Sequence, residues 1–510
     1  MTSTALRPET VIIRPDQYVG VSTYVGNESS QSINKLIMKP DLVWIKNRDD
    51  SVSNMIYDSV RGANNYIRSD TTNIQDAGSA NQVSFIPKGF SVSGGGGGVN
   101  DNNKRYISWA WKAGGNKGTF NLDDLGYANA SSIGMNVGGK NSEAYITGTY
   151  TSKWGATGST GAVDNGLRAF NGNISNYASC QNSGTTVIWR PDSPIRVNKS
   201  LRVLASGISS GSNQVFVNGI SLGTVTNSAV WYTIDITADS FLRQIAISDT
   251  GSTHGRLWAV EVDGRLLLDS GQTPTDNFPS IASTGCSVGT KQGFSIVQYT
   301  GNSTAGATVA HGLSQTPDFV IVKQISGTNE SWRVRHAHSG DLSKTLYLNQ
   351  TIGNTSNTEY ISDAGAATIT LSSGLNGINS GSNYIVYSWH DVPGLQKFGK
   401  YIGNANSDGP FVETGMRPAL VVLKKTTEDG DPWIVYDAAR NSSNLATSRL
   451  QWNNDSNQSV SVDYAIDILS NGFKIRTSDQ SWNDDGETFV YMAWAEAPAY
   501  NLFGAQSNAR

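Results

Sequence analysis

Two stretches of the chain contain residue types that could bind a metal ion. His336 and His338 alternate along a predicted strand, so both imidazole rings would lie on one face, as the first two ligands of a zinc site can. No third ligand follows at a diagnostic spacing. The acidic run 484–487 (Asp-Asp-Gly-Glu) lacks the alternating ligands of an EF-hand loop. We therefore predict packing or surface histidines, a hairpin turn at the acidic run, and no metal or cofactor.

Residues for covalent catalysis form no recognisable pattern. The sequence has no Gly-x-Ser-x-Gly elbow, and neither Cys180 nor Cys286 lies in a catalytic context. We expect both thiols to be reduced. Glycosidase chemistry needs only two carboxylates at a set distance, and 42 acidic residues supply such pairs by chance. We predict a protein that is not an enzyme and has no catalytic residue, with a tailspike-type polysaccharide depolymerase as the alternative.

Aromatic residues favour a binding function. The 13 tryptophans and 20 tyrosines can stack on sugar rings, while carboxylates accept hydrogen bonds from sugar hydroxyls. Trp482 stands beside Asp484 and Asp485, and Trp452 lies in similarly polar surroundings. We predict these four residues as glycan contacts in the C-terminal part of the chain. If Trp482 instead covers its own domain, three tryptophans from the middle of the chain come next: Trp154, Trp189 and Trp231.

The elements that position these residues come in three copies. Each copy begins with Tyr-x-Gly-Asn, at Tyr24, Tyr299 and Tyr401. Each continues with a proline that opens an aliphatic run closed by lysine: Pro40 to Lys46, Pro317 to Lys323 and Pro418 to Lys424. Such runs are too short for a helix of normal length and have strand composition, which indicates buried strands.

A tryptophan closes each copy at a nearly constant distance from its proline. The distances are 71 positions (Pro40 to Trp111), 72 (Pro317 to Trp389) and 76 (Pro418 to Trp494). Several landmarks in one order indicate an internal duplication, so we predict three repeats of one fold, each with its proline-opened strand in the centre. Because the three tryptophans recur at one repeat position, we predict that they are buried core residues.

The composition supports an all-β protein of several domains. A length of 510 residues suggests about three or four domains, and 54 glycines with 16% charged residues suit many turns. Between the first two repeats, short alternating segments and turn signals such as Asn218-Gly219 indicate a jelly-roll-like β-sandwich. We thus predict tandem β-sandwich domains: an N-terminal attachment arm (1–20), repeat 1 (21–115), the jelly-roll-like domain (116–290), repeat 2 (291–394), repeat 3 (395–498) and a C-terminal tail (499–510).

The charge and hydropathy patterns argue against two partner classes. A net charge of −4 gives no basic field for nucleic acid, and no apolar run approaches the ~20 residues that span a bilayer. The N-terminal residues show no apolar signal core. We expect a protein made in a cytoplasm that neither binds nucleic acid nor inserts into membranes.

The repeated landmarks resemble a known family. The segments 311–323 (His-Gly-Leu to Lys), 111–115 (Trp-Lys-Ala-Gly-Gly) and 259–269 (Ala-Val-Glu to Asp) are similar to β-rich domains of tailed-bacteriophage tail fibres, common in phages of marine cyanobacteria. The first copy departs from the pattern, with Asn34-Lys35-Leu36 in place of His311-Gly312-Leu313.

The resemblance implies a virion protein of the phage tail, made in the host cytoplasm. It implies a homo-oligomer, usually a trimer, joined to other tail proteins through its N-terminus and mediating adsorption to a host surface polysaccharide. It names no catalytic residues. A purely structural head-fibre or baseplate component is a further alternative.

Overall fold

The computed structural model shows an almost entirely β-sheet protein, which confirms the predicted all-β class. It describes residues 14–498 except for short gaps: 78–81, 95–97, 136–144, 158–162, 174, 181–183, 198–200, 208–213, 236–239, 250–253, 263–264, 271–278, 342, 357–360, 366 and 373–376. Most of the predicted attachment arm and the whole C-terminal tail lie outside the described residues.

The chain folds into two compact units. One contains residues 1–130 and 281–510, and hence all three repeats, whereas the other contains residues 131–280. The predicted jelly-roll-like domain, 116–290, therefore includes segments at both ends that belong to the unit of the repeats.

The strands are numbered in chain order. The first repeat contains β1 (Val19–Val25), β2 (Gln31–Ile33), β3 (Leu42–Asn47), β4 (Met55–Asp58), β5 (Asn65–Arg68), β6 (Asp76–Ala77), β7 (Val83–Ile86), β8 (Gly89–Val92) and β9 (Arg105–Trp111), followed by β10 (Phe120–Leu122) and β11 (Leu125–Tyr127). The unit 131–280 contains β12 (Tyr145–Gly148), β13 (Trp154–Thr157), β14 (Val163–Asp164), β15 (Ala178–Cys180), β16 (Thr186–Trp189), β17 (Ile195–Arg196), β18 (Leu201–Gly207), β19 (Val215–Val217), β20 (Ile220–Ser221), β21 (Val230–Ile234), β22 (Phe241–Leu242), β23 (Ile245–Ser248), β24 (Gly255–Val262) and β25 (Arg265–Asp269).

The second and third repeats complete the chain. The second contains β26 (Ser283–Gly289), β27 (Phe294–Thr300), β28 (Thr308–Ala310), β29 (Phe319–Gln324), β30 (Arg333–His336), β31 (Leu346–Tyr347), β32 (Ile361–Ala364), β33 (Thr368–Leu371) and β34 (Asn383–Trp389). The third contains β35 (Gln396–Ile402), β36 (Phe411–Glu413), β37 (Met416–Lys425), β38 (Ile434–Asp437), β39 (Ser448–Gln451), β40 (Ser459–Val460), β41 (Ile466–Leu469), β42 (Gly472–Ile475), the single helical turn α1 (Gln480–Asn483) and β43 (Thr488–Pro498). Short 3-10 turns are at Pro15–Gln17, Ala130–Ile133, Thr151–Lys153, Gly166–Phe170 and Val462–Tyr464.

The three repeats share one strand order. Their large sheets run β1-β9-β3-β4-β5-β6, β27-β34-β29-β30-β31 and β35-β43-β37-β38-β39-β40. Their small sheets run β2-β8-β7, β28-β33-β32 and β36-β42-β41. The proline-opened strand is internal in each large sheet, as predicted. In the second repeat, β26, β10 and β11 extend the large sheet beyond β27.

The Tyr-x-Gly-Asn motif holds one hairpin in each repeat. In the third, the Tyr401 hydroxyl donates to the carbonyl of Trp482, and the Asn404 N–H donates to the side chain of Asn483. A Cβ on Gly403 would lie 2.0 Å from the Asp484 carbonyl oxygen, so only glycine permits this approach. The other two copies make the same tyrosine bonds, to the carbonyls of Val99 and Ile378, and the same backbone N–H bonds to the side-chain oxygens of Asn100 and Asn379.

Replacement of Asn483 by Ala should lower the free energy of unfolding by about 2–4 kcal/mol. The Asn483 side chain is 0% exposed, donates to three oxygens and accepts from Asn404, so its loss leaves buried polar groups without partners. Chemical denaturation of the full chain measures the change, with the exposed Asn457→Ala as control. Equal stabilities of the two variants would contradict this role.

Each proline-opened strand contributes a buried lysine that contacts another repeat. Lys46, Lys323 and Lys424 are each 0% exposed. Each Nζ donates to a carbonyl of its own repeat and to one of a neighbour: Lys46 to Asp455 at 2.9 Å, Lys323 to Thr72 at 2.8 Å and Lys424 to Thr351 at 2.8 Å. The first repeat thus contacts the third, the second contacts the first, and the third contacts the second. The three repeats form a closed ring.

The ring encloses one hydrophobic core to which all three repeats contribute. Trp111, Trp389 and Trp494 meet there edge to face, with ring centroids 5.3 to 6.1 Å apart, and none is more than 2% exposed. Their predicted burial in equivalent places is confirmed. The first and third repeats have further cores of their own, on the other face of the large sheet. The large sheets of these two repeats are therefore covered on both faces, and the fully buried β29 indicates the same for the second repeat, so the repeats are not independent sandwiches in a row.

His336 lies where the other repeats have Asp58 and Asp437, at a contact between repeats. Its Nδ1 accepts the His338 N–H, so its Nε2 carries the proton and donates to the Tyr491 carbonyl at 3.2 Å. Burial, with a smaller contribution from His338, lowers the pKa of His336 to about 3.

Acid should destabilise the ring through His336. Below pH ~6.5 the unfolded chain protonates this histidine and the folded chain does not until pH falls to about 3, so stability decreases as pH falls through that window. The slope should approach ~1.4 kcal/mol per pH unit for this one proton. Denaturation at several pH values should give His336→Asn a curve shallower by that amount. Identical curves for the variant and the native chain would refute the assignment.

The unit 131–280 is a β-sandwich by itself. One sheet has the order β12-β25-β24-β15-β14, with β18 paired to both β24 and β21, and the other runs β13-β16-β23-β19-β20. Apolar side chains from both sheets, such as Val203, Leu257 and Ile247, pack in the core between them. The opposite face of the first sheet is left without a second layer among the described residues of this unit.

Candidate functional site

Trp482, the main predicted glycan contact, is a core residue. It is 2% exposed, and its Nε1 donates to the Tyr436 hydroxyl at 2.8 Å. Its ring stacks on Tyr464 at a centroid distance of 4.8 Å, and the Arg449 guanidinium lies 4.8 Å from its centroid. No sugar ring can stack on this indole in the folded chain, so the predicted contact requires correction.

The three other predicted contacts do not assemble with an exposed aromatic ring either. Asp484 accepts from the Lys425 ammonium at 2.7 Å, and this bond lowers the pKa of Asp484. Asp485 is exposed at the hairpin. Trp452 is 1% exposed and stacks on Trp44 of the first repeat at 4.1 Å, so it too is a core residue and not a glycan contact. The pairing of an indole with two carboxylates is absent from this surface.

The sequence carried a signal for the burial of Trp482. This tryptophan directly precedes Asn483, and the residues that precede the equivalent asparagines are Val99 and Ile378, both 0% exposed. A position that is apolar in all three copies belongs to the core, even where one copy has an indole. The alignment of the hairpins by their asparagines would have revealed this.

Of the three alternative tryptophans, Trp154, Trp189 and Trp231, only Trp231 lies at a candidate surface site. Trp189 is fully buried and donates to the Tyr150 carbonyl. Trp154 is half-buried and donates to the Gly166 carbonyl, against the core of its unit. Trp231 lies on β21 with its ring half-buried, and the Arg202 guanidinium stands 4.8 Å from its centroid.

Strand alternation places Trp231 on the uncovered face of the unit 131–280. On β18, Val203 and Ala205 point into the core, so Arg202 and Ser206 point outward. A bulge in the pairing of β18 with β24, between Leu204 and Ala205, leaves Trp258 unpaired. Bulges commonly redirect a side chain, and Trp258 turns outward beside Ser206, to whose hydroxyl it donates at 2.8 Å.

The outward side chains form what we call the aromatic face. Its members are polar or aromatic and come from neighbouring strands, except for one residue just before β15: Tyr177, Arg202, Ser206, Trp231, Arg256, Trp258 and Glu261. Tyr177 and Trp258 have ring centroids 4.9 Å apart. The Arg256 guanidinium lies 4.3 Å from the Tyr177 centroid, and Arg202 makes two hydrogen bonds to Glu261, at 2.7 and 2.6 Å.

This arrangement can hold an extended, hydroxyl-rich ligand. Aromatic rings offer apolar platforms and guanidinium groups supply hydrogen-bond donors beside them, whereas the Ser206 hydroxyl is buried and only positions Trp258. Trp231 and Trp258 lie two strands apart, which corresponds to about 10 Å. The face therefore spans more than a single sugar ring. Trp258 and Arg256 were not among the predicted contacts, although both alternate with buried residues along 255–258 before the bulge interrupts the pattern.

The histidine pair considered for zinc has other contacts. His336 is buried between repeats, and its ring centroid lies 5.8 Å from that of His338. In the part of the chain that the structure describes, no group of three His, Cys, Asp or Glu residues could hold a metal ion. Within the same part, no helix is long and apolar enough to cross a membrane.

The fold and the face define a protein of several β-sandwiches with an outward aromatic surface. The sequence model of the family described as "Domain of unknown function (DUF7483)" matches residues 14–189 and 268–498, and the chain belongs to this family. No curated protein matches the chain. The family match omits 190–267, the stretch that supplies every member of the aromatic face except Tyr177.

Proposed function

We propose that the chain is a carbohydrate-binding virion protein of a tailed phage, which mediates adsorption to a surface glycan of the bacterial host. The aromatic face carries this proposal, because half-buried indole and phenol rings beside a guanidinium that can donate hydrogen bonds suit a sugar polymer. The resemblance of the repeats to tail-fibre domains supports the location in the particle.

The separation of the three repeats from the aromatic face along the chain supports the same proposal. The three repeats bury their landmark residues in a shared core, which suits a rigid scaffold. The aromatic face lies mainly in the stretch that the family model leaves out, where a recognition surface can vary without changing that scaffold. In this proposal the N-terminal arm (1–20) attaches the protein to other tail proteins, and the chain associates as a homotrimer.

Two measurements on the phage that encodes the chain test this function. Mass spectrometry and antibody labelling of purified particles should find the chain in the tail. The purified chain, added to host cells first, should block adsorption, and Trp258→Ala should not block it. A chain absent from the particle, or blocking that Trp258→Ala leaves unchanged, would refute the proposal.

A further inference from the structure

We infer that the aromatic face selects acidic glycans, and that Arg256 binds a carboxylate of a uronic acid. This inference rests on the proposed function, since it specifies the sugar that the same face would take. Three observations on the two arginines of the face support it.

The two arginines of the face differ in their partners. Arg202 is neutralised by Glu261, with atoms 2.6 Å apart, and the Glu261 side chain is only 12% exposed. The Arg256 side chain makes no ion pair or hydrogen bond to any residue that the structure describes. Its guanidinium is held by the Tyr177 ring alone, at 4.3 Å. The face therefore carries one uncompensated positive charge.

The position of Arg256 prepares this charge for an anion. Its Nε is buried without an acceptor among the described residues, so the two terminal nitrogens of the guanidinium are the donors that a ligand can reach. Stacking on Tyr177 restrains the planar guanidinium before binding, so little freedom is lost when a ligand binds. A planar carboxylate matches the paired donors of that group.

The neighbours of Arg256 determine what else the ligand must contain. The Trp258 ring, 4.9 Å from Tyr177, adjoins the same tyrosine as Arg256. A ligand on this part of the face therefore meets an apolar platform and a cation side by side. A uronic acid fits, because its ring presents an apolar face for stacking and its carboxylate projects from the ring edge.

The test compares polymers that differ only in charge. Polygalacturonate, alginate and hyaluronan are each paired with their carboxyl-reduced, neutral forms, and poly(glycerol phosphate) provides a phosphate polymer. Binding of the full chain is measured by biolayer interferometry. We expect at least one acidic polymer to bind at least 10-fold tighter than its reduced form, and Arg256→Gln to abolish that difference. Arg243→Gln is the matched control, because Arg243 also lies over a ring, that of Phe241 at 5.3 Å, outside the face.

The outcomes separate this inference from the proposed function. Equal binding of acidic and reduced polymers that depends on Trp258 would overturn the carboxylate site and leave sugar binding intact. Arg256-dependent binding of the phosphate polymer alone would also overturn it. If Arg243→Gln lost the preference for acidic polymers as fully as Arg256→Gln, the preference would come from general charge attraction. That result would also overturn the carboxylate site. No binding of any polymer, acidic or neutral, would overturn the inference and the proposed function together.

Discussion

Replacement of Trp389 by Ala should lower the free energy of unfolding of the three-repeat unit by about 3–5 kcal/mol, the cost of removing a large ring from a packed core. Trp389 contacts Trp111 of the first repeat and Trp494 of the third, with centroids 6.1 Å away in both cases. The loss should therefore destabilise all three repeats at once. Denaturation followed by hydrogen exchange, which resolves each repeat, measures this effect.

The control for Trp389→Ala is the replacement of Phe411, an aromatic residue of the same unit that lies outside the shared core. Phe411 is 45% exposed, so Phe411→Ala should change stability by no more than ~0.5 kcal/mol. If Trp389→Ala lost protection from hydrogen exchange in the second repeat alone, the shared core would be contradicted. The three repeats would then be independent sandwiches.

Replacement of Trp258 by Ala should weaken glycan binding by roughly 30- to 100-fold. This corresponds to the loss of about 2–3 kcal/mol of binding free energy, as expected for a central aromatic contact. Trp231→Ala should weaken it less, because the neighbouring rings of Tyr177 and Trp258 and the Arg256 guanidinium remain for the ligand. Titration of the full chain with oligosaccharides from host surface polysaccharide, followed by calorimetry, gives both affinities.

Trp154→Phe is the matched control for the two tryptophans of the face. Trp154 belongs to the same unit and is half-buried, but it packs against the core on the other sheet. Its affinity for oligosaccharide should equal that of the native chain. If Trp258→Ala binds as the native chain does, the aromatic face is not the binding surface.

The sequence predicted the architecture well because the repeats carry their own landmarks. Trp111, Trp389 and Trp494 are buried as expected, and the proline-opened strands lie inside their sheets. The arrangement of the repeats was missed, although a clue was present. All six residues of β3 and of β29 are buried, and such runs without alternation indicate a sheet covered on both faces. The other repeats cover one face of these sheets, and in the first and third repeats the small sheet of the same repeat covers the other.

That arrangement changes one argument about assembly. Separate sandwiches would leave sheet edges and faces for a symmetric neighbour to cover, which would favour the trimer that the resemblance implies. Within the described unit, the faces that carry Trp111, Trp389 and Trp494 are already covered by each other. Trimer formation therefore remains a prediction from the family resemblance alone.

The predicted site failed for a physical reason that composition cannot reveal. An indole in polar sequence surroundings looks exposed, yet Trp482 fills the core position held by Val99 and Ile378 in the other copies. The residues of the aromatic face are distant in sequence, from Tyr177 to Glu261. Only strand pairing and the bulge that turns out Trp258 bring them together, and neither can be inferred from one chain without its register.

Hydrogen exchange of the full chain with and without saturating host polysaccharide tests directly whether the aromatic face binds glycan. We expect protection of the segments that form this face, at 177–180, 201–207, 230–234 and 255–262, and no such protection in Trp258→Ala. Protection at the third-repeat hairpin around Asp485, or no protection anywhere in 131–280, would contradict it.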